Sequence, residues 1–210
     1  MLSARAIVEL QDQRTRTWHL LPESSGPTPG VNRESGETWL DSVSRQHRAN
    51  FDLWHIEDAA RAPGVPDARL AEIKRLIDRT NQQRNDLAED LDRALLSWLE
   101  VRGLPNPRAP LNSESPGLMI DRLSILALKV YHTREEAERA DAPEGHAGRN
   151  LGRLAILEEQ RADLAGCLDE QWRETLAGTR RFKLYRQLKM YNDPSLNPAI
   201  YGNPEGVRGK

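Results

Sequence analysis

Apolar residues in this chain recur at every third or fourth position and never alternate, so the pattern predicts helices and no strands. A short amphipathic helix is expected over residues 3–20, with Ala6, Ile7 and Leu10 on one side. A second runs from Trp39 to Arg61 and stops before Pro63-Gly64-Val65-Pro66, because proline cannot continue the hydrogen-bond ladder. A long helix is expected over 67–102, with Asp67 as its cap and Gly103 and Pro105 as its stop. Ser115-Pro116 pairs a hydroxyl cap with proline at the first helical position and opens a helix over 116–140. A turn at 143–148 leads to another long helix over 149–176, ended by Gly178. A short basic helix over 180–190 and an irregular proline-containing tail complete the chain. The economical fold is all-α: an antiparallel bundle of four main helices, decorated by short N- and C-terminal helices. Three segments follow: 1–35 (short helix and a Pro/Gly/Ser-rich linker at 22–30), 36–178 (the bundle), and 179–210 (the basic helix and tail, packed on the bundle).

The informative positions are those that break the apolar stripes. In 67–102 the stripe of Leu70, Ile73, Ile77, Leu91, Leu95 and Trp98 is interrupted at its centre by Thr80, Asn81 and Arg84. In 149–176 the stripe of Leu154, Leu157, Leu164, Leu168 and Trp172 is interrupted by Gln160 and Arg161. An inward arginine keeps its charge and needs acceptors. The second helix places His47, Asn50, Trp54, Glu57 and Arg61 on one face, with His55 beside it. The helix at 116–140 is apolar almost all round, which predicts a central position, and lines one side with Asp121 and His132.

Three readings of these polar positions stand side by side. Arg84 and Arg161 clamp a small anionic ligand such as a nucleotide sugar or sugar phosphate, oriented by His47, Asn81, Asn85 and Asp121. Alternatively, the same pocket is an active site for glycosyl or phosphoryl transfer or hydrolysis. His55 or His132 then acts as acid or base, tuned by Glu57, Asp58 or Asp121. In the third reading the polar layer fixes helix register in a structural or partner protein.

Charge and composition narrow the classes. The chain has 210 residues, 30 Lys+Arg, 32 Asp+Glu and a net charge of -2. That balance argues against nucleic acid as the partner. It conceals a segregation: residues 179–210 carry +5 and the preceding body -7. The basic run Arg180-Arg181-Phe182-Lys183-Leu184-Tyr185-Arg186 is expected to dock on that body. No segment approaches the ~20 apolar residues of a membrane span, and no signal peptide is apparent, which predicts a cytoplasmic protein. Cys167 is the sole cysteine, so no internal disulfide forms; it reads as a small buried hydrophobe. No Glu-x-x-His or His-Glu-x-x-His spacing occurs, and neither a metal nor a cofactor is predicted; the histidines read as satisfied buried side chains, with a metal site built across helices from His55, Glu57, Asp58, Asp121 and His132 as the lesser alternative. Walker, dinucleotide-glycine and Gly-x-Ser-x-Gly motifs are absent. An oligomer or protein partner stays open.

Several runs together carry a family resemblance. They are Gln46-His47-Arg48-Ala49-Asn50-Phe51-Asp52-Leu53-Trp54-His55-Ile56-Glu57-Asp58, Lys74-Arg75-Leu76-Ile77-Asp78 and Asn81-Gln82-Gln83-Arg84-Asn85-Asp86. Further on come Ser113-Glu114-Ser115-Pro116-Gly117, Ile120-Asp121-Arg122-Leu123-Ser124-Ile125-Leu126 and Lys129-Val130-Tyr131-His132. Glu159-Gln160-Arg161-Ala162-Asp163-Leu164 and Lys189-Met190-Tyr191-Asn192-Asp193-Pro194 complete the series. In this order the chain resembles the bacterial family called domain of unknown function 4254, with Ser115 where threonine is usual. The resemblance implies a mostly helical cytoplasmic protein and carries no activity. The stretch from Asp121 to Lys129 is also similar to a motif in small helical proteins of bacterial surface-polysaccharide loci, which implies a place in glycan or cell-envelope biosynthesis.

Overall fold

A computed structural model describes residues 2–20, 38–188 and 195–198. The linker at 22–30 and most of the expected C-terminal tail lie outside the described residues. The chain is all-α, with five helices among the described residues: α1 (Ala4–His19), α2 (Trp39–Arg61), α3 (Asp67–Glu100), α4 (Pro116–Glu138) and α5 (His146–Leu176).

Local chemistry sets the helix ends. The Ser3 hydroxyl caps α1, and Thr38 with Asp41 forms a reciprocal capping box on α2. Ser115 caps α4 and Pro116 opens it, as the sequence predicts. Asp67 is not the cap of α3: Pro66 holds that position, and Asp67 is the first helical residue. Its charge there faces the positive end of the helix. Gly178 adopts φ +72° and ends α5 in a turn that a side chain would resist.

α4 packs against all four other helices, which accounts for its lack of a polar face. Met119, Ile120 and Leu123 of α4 join Leu91, Leu95 and Leu99 of α3 and Leu164, Leu168 and Trp172 of α5 in the core; Ile7 of α1 and Val43 of α2 complete it. α3 and α4 come close together at Gly117, where an added Cβ would collide with the backbone carbonyl of Ala88. Across that approach the buried Asp92 side chain accepts from the Gly117 N–H (2.7 Å) and from the Ser115 hydroxyl. One carboxylate thus ties α3 to the first turn of α4.

Three sequence expectations are corrected. Residues 180–188 are not helical. The Arg181 N–H donates to Pro110 O, the Asn112 N–H donates to Arg181 O, and Phe182 is buried in the core. Backbone pairing and burial of one ring outweigh the weak helical pattern of this short run. Cys167 is exposed, on the wall of a groove between α4 and α5. Leu70, near the start of α3, and Gln160, in the middle of α5, are exposed rather than inward.

Candidate functional site

Asp121 of α4 is the hub of the polar layer. It is buried and accepts from Gln46 Nε2 (2.6 Å), Asn50 Nδ2 (2.9 Å), Arg84 Nε (2.8 Å) and Arg84 Nη2 (2.5 Å). The inward arginine of α3 therefore meets a carboxylate bidentately, its strongest geometry. Both partners contribute to the pairing, and the hydrogen bond to Asp121 raises the Arg84 pKa further.

The layer continues through His47, which is fully buried. The Thr15 hydroxyl donates to Gln11 O, so Thr15 accepts from His47 Nε2–H (2.9 Å). His47 Nδ1 then accepts from the Ser124 hydroxyl (2.7 Å), which in turn accepts from Asn50 Nδ2 (3.0 Å). Burial pushes the His47 pKa down to about 3, so the ring is neutral and both nitrogens are engaged. It has no free position for a ligand.

Arg161 faces elsewhere. Its Nη1 donates to Asp12 of α1 at 2.7 Å. Arg84 and Arg161 thus bind different carboxylates, and neither of the grooves described below is lined by both. Asn81 and Asn85 are half-buried on α3, with Asn81 Oδ1 3.5 Å from Arg84 Nη1.

Two grooves flank this layer. One, of about 420 Å³, opens between α2, α3 and α4. Its walls include Trp54, Glu57, Asp58, Arg61 and Arg84, over a floor of Leu53, Ile125 and Leu128. Arg61 reaches back to Glu57, with Nη2 at 2.9 Å from the carboxylate. The second, of about 530 Å³, lies between α2 and α3 and includes Trp18, Arg48, Asp52, Arg79 and Gln83. There Arg48 is already held by Asp52 (2.7 Å) and lies over the Trp18 and Phe51 rings.

Beyond Trp54 sits a cluster that sequence reasoning did not assemble. His132 stacks on the Trp54 indole at 4.9 Å and 10°. His19, the last residue of α1, stacks on Tyr131 at 4.3 Å. His55 lies 5.1 Å from His19 and 6.0 Å from His132, between ring centroids. One ring nitrogen from each of the three lies within 4.8 Å of the other two. Burial lowers the His19 pKa, and the neighbouring His132 and His55 lower it further. His55 and His132 were each candidates for acid–base chemistry, but they face His19 rather than the groove of Glu57 and Asp58.

The match to known proteins follows the same residues. A family model described as "Protein of unknown function (DUF4254)" matches residues 40–184, which span α2 through α5 and the Phe182 anchor. The chain belongs to the DUF4254 family. No curated protein and no solved structure matches it. In this DUF4254 chain the matched segment contains Asp121, Arg84, His55 and His132, whereas His19 lies outside it. No helix among the described residues is long and apolar enough to cross a membrane.

Proposed function

We propose that this DUF4254 protein binds a small anionic sugar derivative, a sugar phosphate or nucleotide sugar, in the groove between α2, α3 and α4. The observation that carries this reading is the lining of the groove. An indole, two carboxylates and two guanidiniums surround one cavity of about 420 Å³. An aromatic face suits the apolar side of a sugar ring, carboxylates accept from its hydroxyls, and arginine forks suit phosphate oxygens. Arg84 is held by Asp121 through Nε and Nη2, and its Nη1 makes only a marginal contact with Asn81. That leaves donors of a rigidly placed guanidinium directed at the groove. Arg61 stands at its rim.

This assigns the ligand to Arg84 with Arg61, Trp54, Glu57 and Asp58. Arg161 and His47 take no part, since each is already engaged elsewhere. A role in glycan biosynthesis follows from the ligand class. A purely structural polar layer is the competing reading, favoured by the closed Arg84–Asp121 pair.

A thermal-shift panel of sugar phosphates, nucleotide sugars and inorganic phosphate separates the two. A ligand at 100 times its dissociation constant adds about 2.7 kcal/mol, or roughly 5–10 °C for a chain of this size. The shift should fall in Arg61→Ala and Asp58→Asn, both altered at exposed positions. No shift with any of these compounds at low salt would leave the structural reading in possession.

A further inference from the structure

The three clustered imidazoles share a feature that their positions alone do not require. Each has its Nδ1 bound to an acceptor on its own helix. His19 Nδ1 lies 2.7 Å from Thr15 O, and His55 Nδ1 lies 2.8 Å from Phe51 O. His132 Nδ1 lies 2.8 Å from the Glu135 carboxylate. Carbonyl and carboxylate oxygens only accept, so each Nδ1 carries the proton, and a neutral ring keeps its lone pair on Nε2. The Nε2 atoms of His19 and His132 are both buried and have no hydrogen-bond partner. Three separate helices thus deliver three imidazoles in the same tautomer, with one ring nitrogen from each within 4.8 Å of the other two.

This is the arrangement in which proteins hold metal-ligating histidines: the remote N–H is tied to a carbonyl or carboxylate, which fixes the ring and raises its basicity. We propose that His19, His55 and His132 form a binding site for a divalent first-row transition-metal ion of the zinc class. Neutral imidazole suits this class, and Zn–N bonds of 2.0–2.1 Å in a tetrahedron put the nitrogens about 3.3 Å apart. The observed limit of 4.8 Å requires a modest inward closure of the rings around the ion. Stacking of His132 on Trp54 and of His19 on Tyr131 holds two of the rings; His55 is exposed and admits the ion from solvent.

Three protein ligands leave a fourth tetrahedral position for water or another small ligand, as in catalytic rather than structural zinc sites. Glu135 acts as a positioning residue behind His132. The site stands on the histidines alone and holds whether or not the neighbouring groove takes a sugar phosphate.

The test uses the full chain without an affinity tag, stripped with a chelator and titrated with Co²⁺ and then Zn²⁺. One equivalent of Co²⁺ should produce the intense visible absorption of a four-coordinate site, and Zn²⁺ should displace it. X-ray absorption of the zinc form should fit three imidazole nitrogens. His55→Ala, a change at an exposed position, should abolish the cobalt spectrum, and His132→Gln should do the same. Glu135→Gln should weaken binding roughly 10–100-fold while keeping the spectrum. Cys167→Ser should leave everything unchanged. Failure of the wild-type protein to bind stoichiometric Zn²⁺ would overturn the proposal. So would a cobalt spectrum that survives His55→Ala or vanishes in Cys167→Ser. Because the X-ray absorption readout is made on wild-type protein, it decides the matter even if His132→Gln does not fold.

Discussion

Asp92 offers a prediction whose size and sign both come from one contact. Its carboxylate is almost wholly buried between α3 and α4, and burial lifts its pKa from 3.8 to about 6, against the lowering effects of Ser115 and Gly117. A carboxyl with a raised folded-state pKa binds its proton more tightly in the native state than in the unfolded one. Between about pH 4 and 6 the native state therefore holds more protons, and the stability from this group falls as pH rises through that window. At 1.36 kcal/mol per unit, the ionised group costs about 3 kcal/mol at neutral pH. Asp92→Asn keeps both contacts: its Oδ1 accepts from the Gly117 N–H, and its Nδ2 donates to the Ser115 oxygen. The variant should be more stable than wild type at pH 7.5, by up to about 3 kcal/mol, and equal to it near pH 3.5. Asp92→Ala, which leaves two buried donors unpaired, should instead lose about 2–4 kcal/mol near pH 3.5, and the loss should shrink as pH rises because the variant is spared the cost of the ionised carboxylate. Urea unfolding of the three proteins from pH 3.5 to 8 measures this. The reasoning fails if Asp92→Asn is no more stable than wild type at pH 7.5, or if their difference does not change with pH.

His47 titrates in the opposite sense over nearly the same window. Its folded pKa is depressed to about 3, so its stability contribution is lost as pH falls below about 6.5. Wild type should accordingly show a shallow pH profile between 4 and 6, and Asp92→Asn should unmask a steep loss of stability on acidification, seen in the same urea series. Asp121→Ala strands Arg84 and the amides of Gln46 and Asn50, and should cost about 3–5 kcal/mol in chemical denaturation. Gly117→Ala forces its methyl group against the Ala88 carbonyl and should cost about 1–3 kcal/mol by the same measurement, with the α3–α4 contact loosened in hydrogen exchange.

The helices were legible because the breaks between them are written in proline, glycine and capping hydroxyls. Arg84 was legible because one helical wheel suffices to place it, and Asp121 was the nearest carboxylate on a helix that had to be central. The partner of Arg161 was not, since Asp12 belongs to a separate helix and no periodicity within α5 points to it. The run at 180–188 carries a helix-like mixture of basic and apolar residues; its extended form depends on the loop at 110–112 and on the core space that Phe182 fills. His19 was missed for the same reason as Asp12. A signal was nevertheless present: the three clustered histidines are those that follow an aromatic residue, in Trp18-His19, Trp54-His55 and Tyr131-His132. Both buried histidines and buried carboxylates look alike in sequence, so nothing separated the closed His47 from the open His132, or marked Asp92 as the anchor of α4.

The most direct test of the proposed function is a crystal structure of the wild-type protein soaked with the sugar phosphate or nucleotide sugar that gives the largest thermal shift. The account predicts the sugar ring against Trp54, its hydroxyls on Glu57 or Asp58, and a phosphate on Arg61 and the Nη1 of Arg84, with the Arg84–Asp121 pair intact. A ligand bound elsewhere, or a groove without ligand at saturating concentration, would contradict it.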